Sequence, residues 1–128
     1  MNTDEHRSGL NEISGAVIGC AYSVSNILGC GFLEKVYENA LIHEVRKAQL
    51  AVEQQKSLAV IYDGIVVGEY IADMVVEYRV LIEVKAVRSL DEVHFAQCMN
   101  YPKATRMNLC LLMNFGTPRV TIKRIIND

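Results

Sequence analysis

The sequence predicts an α/β fold in which a mixed β-sheet carries helices packed on it. Three observations lead there. Apolar residues recur at helical spacing in the first third of the chain. Composition then switches to β-branched residues over positions 57–87, and a further helix and two strands follow. The predicted order is α, α, β, β, β, α, β, β. At 128 residues and 51% hydrophobic content the chain can bury one core, and its composition is not that of a disordered segment. No repeat, low-complexity stretch or linker divides it, so residues 1–8 read as an N-terminal tail and 9–128 as a single domain.

In residues 9–28, Leu10, Ile13, Val17, Ala21, Val24 and Leu28 form one helical stripe, and "GCG" at 29–31 ends it, as glycine does at a helix C-terminus. A second helix is expected from about Leu33 to Gln49. Asp63-Gly64 signals a tight hairpin turn, and a second turn must fall near Glu77–Arg79. Residues 90–104 return to helical spacing, with Gln97 and Tyr101 on one face, and Pro102 is expected to end or kink that helix. "MNLCLLMNF" and "RVTIKRII" read as the last two strands.

The apolar runs are too short to span a bilayer, and "MNTDEHRSGLNEIS" is polar and mixed in charge, so the expected location is cytoplasmic. Cys20, Cys30, Cys98 and Cys110 show no Cx2C pairing, which argues against a zinc or dithiol motif; buried free thiols are expected. His43 and His94 lack metal-ligand spacing and read as structural or surface residues. The net charge of −2 is unevenly spread: residues 1–84 carry 6 Lys/Arg against 12 Asp/Glu, and residues 85–128 carry 7 against 3. The basic final third could contact phosphates, although charged faces are usually only solvated.

"YIADMVVEYRVLIEVKAV" (70–87) places Asp73, Glu83 and Lys85 inside two apolar strands. If a three-residue turn is centred on Tyr78, Asp73 lies opposite Glu83, and Lys85 shares their face. A two-residue turn would instead put Asp73 on the face away from Glu83 and Lys85. Two facing carboxylates repel unless a cation lies between them, and an oxygen-rich site of this kind suits Mg²⁺ or Mn²⁺. A lysine alongside can steer water or steady charge on a phosphate, which together is equipment for phosphodiester hydrolysis. The same spacing also fits a Glu83–Lys85 or Asp73–Lys85 ion pair on a solvated sheet face. Glu34, just inside a helix start, could equally serve only the helix dipole.

Asp73, nine intervening residues and then Glu83-Val84-Lys85 resembles the D…(D/E)xK signature of the PD-(D/E)XK nuclease superfamily. "GFLEKVYENAL" (31–41), "HFAQCMNY" (94–101) and "LLMNFG" (111–116) resemble motifs of the GxxExxY proteins, a small bacterial and archaeal family of that superfamily. The similarity runs from about Leu10 to Asn127. It implies a restriction-endonuclease-like core, a mixed sheet flanked by helices. It also implies Asp73 and Glu83 as metal ligands, Lys85 as the catalytic lysine, and Glu34 as the helical glutamate that completes the acidic cluster. Gln97 and Tyr101 match a Q-x-x-x-Y pair that borders the active site. The sequence departs from the family pattern at Ser25, Cys30, Ile71, Ala72, Pro102 and Cys110, of which Ser25 and Ile71 bear on contacts near the site.

The expected function is therefore a Mg²⁺-dependent nuclease acting on DNA or RNA, with DNA the favoured substrate. The alternative is a catalytically silent nuclease-fold module for nucleic-acid binding or protein assembly. Because a specific protein–DNA interface needs roughly 1,000 Å² or more, a homodimer or partner protein is expected.

Overall fold

The two amphipathic stretches fold as α1 (Thr3–Leu28) and α2 (Glu34–Lys47), and a five-stranded sheet follows them. The computed structural model describes the backbone of residues 3–105 and 107–126, and the side chains of these except 3–8 and 102–104. The backbone is already helical from Thr3, ahead of residue 9 where the apolar stripe starts. At the end of α1 the Gly29 amide donates to Ser25 O at 2.9 Å. Gly29 and Gly31 then take φ values of +66° and +113°, which side chains with a Cβ resist. Fully buried Tyr37 of α2 fastens this turn: its hydroxyl donates to Gly29 O at 2.7 Å and accepts from Phe32 N at 3.2 Å.

The strands are β1 (Val52–Tyr62), β2 (Ile65–Val76), β3 (Val80–Lys85), β4 (Leu109–Asn114) and β5 (Thr121–Ile126), in the spatial order β1-β2-β3-β4-β5. β3 and β4 are parallel and the other pairs antiparallel, so the sheet is mixed. A parallel pair needs a long crossover, and α3 (Glu92–Thr105) supplies it. Asp63 and Gly64 both take positive φ between the paired residues Tyr62 and Ile65, the two-residue hairpin that the Asp-Gly dipeptide favours.

Alternation along β3 and β4 sorts the core into two layers. Val80, Ile82, Val84, Leu109, Leu111 and Met113 pack with α1 and α2. Leu81, Cys110 and Leu112 pack on the other face with Cys98 and Tyr101 of α3. The two central strands are thus buried on both sides, as their near-continuous apolar sequence requires. The turn between β2 and β3 spans Glu77 to Arg79, and Val76 pairs with Val80, Val75 with Leu81 and Met74 with Ile82. This is the three-residue register centred on Tyr78, with Glu77 and Tyr78 in the left-handed region.

Two expectations need correcting. The backbone of α3 continues past Pro102 to Thr105. Proline removes one amide bond there, and the Thr105 hydroxyl donates to Tyr101 O at 2.5 Å in the same turn; the Pro102 side chain itself lies outside the described residues. Of the four cysteines, Cys20, Cys98 and Cys110 are buried but Cys30 is exposed, because it sits between the two turn glycines rather than on an apolar face. Ser25 has a structural task, its buried hydroxyl accepting Val120 N at 2.9 Å. His94 also serves structure: its Nδ1 accepts Asp91 N at 3.2 Å, while Asp91 Oδ1 accepts Val93 N at 2.9 Å and so caps α3. Among the described residues no helix is long and apolar enough to cross a membrane.

The segment after β3 is held by a side-chain clamp. Buried Asn114 accepts Val87 N at 3.0 Å, donates to Val87 O at 2.9 Å and accepts Gly116 N at 3.0 Å. Phe115 N adds a bond of 2.8 Å to Lys85 O. The approach is so tight that a Cβ on Gly116 would lie 2.1 Å from Val87 O. Gly116→Ala is therefore expected to cost about 3 kcal/mol in urea unfolding. Gly15→Ala, where a Cβ on α1 meets nothing within 4 Å, is expected to add roughly 0.5–1 kcal/mol. Equal effects of the two substitutions would contradict the clamp.

Candidate active site

Asp73 stands where the sheet comes apart on both sides. Towards β1, Gln54 pairs with Met74 and Lys56 with Ala72, but the Gln55–Asp73 position between them is missing from the ladder. Gln55 takes φ +52° there, a left-handed residue in mid-strand, although the register is the same on both sides of it. Towards β3, pairing stops at Met74–Ile82. Beyond that point carboxylates take over from carbonyls: Asp73 Oδ2 accepts Val84 N at 2.7 Å, and Glu83 Oε1 accepts Asp73 N at 3.5 Å. The side-chain alternation of β2 slips at the same place. Met74 and Val76 face α1 and α2, whereas Tyr70 and Ala72, of the same parity, pack on the α3 side.

That slip brings a residue into the site that strict alternation would have put on the other face. The Tyr70 hydroxyl donates to Glu83 Oε1. Its ring stacks on Tyr101 of α3, with centroids 3.6 Å apart and planes 17° from parallel. Tyr101 therefore reaches Glu83 through Tyr70. Gln97, one turn earlier on the same helix, is half-buried and makes no side-chain hydrogen bond among the described residues.

Glu34 lies at the exposed first turn of α2. It does not join the other acids in a shared cage: among the described residues no three His, Cys, Asp or Glu are grouped closely enough to hold one metal ion. The buried acid of α2 is Glu38, one turn further on and only 2% exposed. Glu38 accepts bonds from Lys35 at 3.0 Å, Gln54 at 2.6 Å and Gln55 at 3.1 Å, and so ties the irregular stretch of β1 to α2. Its position one helical turn after Glu34 was the available signal for it.

The electrostatics follow from this geometry. Burial raises the Glu83 carboxyl to about 7, and the Asp73 charge adds to the rise, while the Tyr70 bond and Lys85 oppose it. Burial also raises Asp73, against the pull of the Val84 amide. Glu34 is raised by burial and by Asp73, and lowered by Lys85, so all these groups feel one another. Lys85 forms no ion pair with Asp73 or Glu83 among the described residues. The solvated ion-pair arrangement is thus not the one adopted. Asp73 Oδ1 and Glu83 Oε2 accept no hydrogen bond among the described residues, and no fully buried side-chain oxygen there lacks a partner, so neither oxygen is sealed off from water. Two repelling carboxylates, each with one open oxygen, fit a hard divalent cation that keeps several waters.

A family model described as the PD-(D/E)XK nuclease superfamily matches residues 11–125. The crystal structure of SSO0001 is similar, with a TM-score of 0.54 and 20% identity, covering 96% of this chain and 60% of that one. The chain thus spans about 60% of the length of that protein, and at this identity the likeness is one of fold. An alkaline exonuclease from Laribacter hongkongensis aligns with a TM-score of 0.49 and 14% identity, over 92% of this chain and 82% of that chain. No curated protein matches the sequence.

Glu83 sets a pH dependence of stability. Between the ordinary carboxylate range and about 7 the folded protein keeps a proton that the unfolded chain has released. Stability therefore declines as pH rises through that window. Without divalent ions, Glu83→Gln is expected to be more stable than wild type at about pH 8, by on the order of 2 kcal/mol in urea unfolding, and close to it at about pH 5. A wild type that is the more stable of the two at pH 8 would contradict the burial of this charge.

Proposed function

Since the chain belongs to the PD-(D/E)XK nuclease superfamily, we propose that it is a nuclease that hydrolyses phosphodiester bonds with Mg²⁺ or Mn²⁺, acting on DNA in preference to RNA. The observation that carries this reading is the pairing of half-buried Asp73 with buried Glu83, each with one oxygen free of protein hydrogen bonds, in the gap between β2 and β3, with Lys85 two residues beyond Glu83. Asp73 and Glu83 would hold the ion, with Glu34 as the third acid acting from the mouth of α2. A divalent ion bound there supplies a more acidic water and neutralises charge at the scissile phosphate.

The chain's own groups have distinct tasks. The Lys85 ammonium attracts the phosphate and stabilises the negative charge that grows on it. Its backbone is fixed by the Phe115 amide, so the ammonium starts from a rigid base. Tyr70 orients the Glu83 carboxylate and leaves Oε2 open, and Tyr101 supports Tyr70 by stacking. Gln97 lies on the same helix, where it can meet the nucleic-acid backbone. The motifs around Gly31, Glu34 and Tyr37 support the GxxExxY family as the branch within the superfamily.

A homodimer belongs to the same reading. Tyr62, Ile65, Val66 and Val67 are exposed on the β1–β2 hairpin, and β1 is an edge strand. A second copy meeting this arm would cover it and enlarge the surface offered to a duplex.

In calorimetry, wild type is expected to bind Mn²⁺ and Asp73→Ala to give no heat. On a panel of single-stranded, duplex and branched DNA and of RNA, Lys85→Ala is expected to keep metal binding and lose about 10²-fold or more in cleavage rate. Heat that is unchanged in Asp73→Ala would remove the metal site. Metal binding with no cleavage of any substrate would make the protein a silent nuclease-fold module instead.

A further inference from the structure

Cys98 and Cys110 meet in the layer between α3 and β4, at relative exposures of 1% and 0%. Their sulfurs stand 3.0 Å apart, nearer than the about 3.5–4.0 Å of ordinary core contacts. Neither sulfur has another hydrogen-bond partner among the described residues, and the proposed hydrolysis uses neither thiol. The contact follows from topology: the crossover helix must lie on the strand it leads to, and the two cysteines are the facing residues.

We propose that Cys98 and Cys110 are a reversible disulfide site that staples α3 to β4. An S–S bond of about 2.05 Å requires the sulfurs to close by roughly 1 Å, within reach of small side-chain rotations. The bond would link residues twelve apart and pin the helix that carries Gln97 and Tyr101. Tyr101 stacks on Tyr70, whose hydroxyl holds Glu83, so the staple lies beneath the support of the candidate site. The proposal is independent of the nuclease reading, because it concerns thiols that take no part in that chemistry.

The oxidant proposed for this step is a peroxide, chosen for its small size because both thiols are buried. One sulfur attacks a peroxide oxygen, the O–O bond breaks and water leaves, giving a sulfenic acid. The second sulfur displaces that hydroxyl, the S–S bond forms and a second water leaves. The two thiols together lose two electrons and two protons, and the peroxide is reduced to two waters. The hydrogen bond to Cys98, followed by burial, pushes the Cys110 thiol up, so the reaction is slow at neutral pH and faster as pH rises.

The test treats wild-type protein with hydrogen peroxide, then denatures it, alkylates remaining thiols and maps tryptic peptides. Trypsin cuts after Lys103 and Arg106, which separate the two cysteines. The expected result is monomer with two of its four thiols blocked, a Cys98–Cys110 linked peptide that dithiothreitol releases, and a Tm higher by about 10 °C. Cys98→Ser is expected to show neither the link nor the rise. The proposal fails if all four thiols remain alkylatable, if links run only through Cys20 or Cys30, or if Cys98 and Cys110 reach sulfinic acids without joining.

Discussion

The hydrogen bond from the Val84 amide to Asp73 is the interaction on which the site depends. It replaces a main-chain bond between β2 and β3 with a side-chain one, and the ladder ends at Met74–Ile82 as a result. The strands part there, and the gap holds two carboxylates that would otherwise have no room in a sheet covered on both faces. Left-handed Gln55 on the opposite flank frees Asp73 from β1 as well. The cost of desolvating two like charges is not removed but stored, as the raised carboxyls of Glu83 and Asp73 show. A cation bound as proposed would offset that cost.

Much of what surrounds this gap is architecture. Tyr37 closes the glycine turn, stacks on Phe115 at 4.9 Å and so links the start of α2 to the segment beyond β4. Asn114 and Gly116 lock that segment against Val87, directly after Lys85. Glu38 performs the corresponding task on the far side by collecting Gln54 and Gln55. Three polar clamps thus fix the backbone around Glu34, Asp73 and Lys85.

The sequence was legible where periodicity and turn chemistry rule. The Asp-Gly hairpin and the Tyr78-centred turn follow from spacing, because a buried strand pair tolerates only one register; that register brings Asp73 near Glu83, although the pair itself is absent from the ladder. It was not legible where tertiary contacts override local rules. Tyr70 stayed hidden because alternation assigns it to the wrong face, and the slip at Asp73 that corrects this depends on Gln55, a residue on another strand. Nothing local in the sequence beyond its spacing from Glu34 marks Glu38, whose burial comes from its contacts with Gln54 and Gln55 of β1. Pro102 suggests an end or a kink, yet α3 runs on to Thr105 despite the missing amide bond. Cys30 read as buried from apolar neighbours that belong to a turn.

The central claim is that Asp73 and Glu83 form a cation site created by the parting of β2 and β3. The most direct measurement is a crystal structure of the wild-type protein soaked in Mn²⁺, with anomalous data collected. The account predicts one anomalous peak between Asp73 Oδ1 and Glu83 Oε2, with Asp73 Oδ2 still accepting the Val84 amide. A main-chain ladder continuing through Asp73 and Glu83, with no peak between their carboxylates, would contradict it.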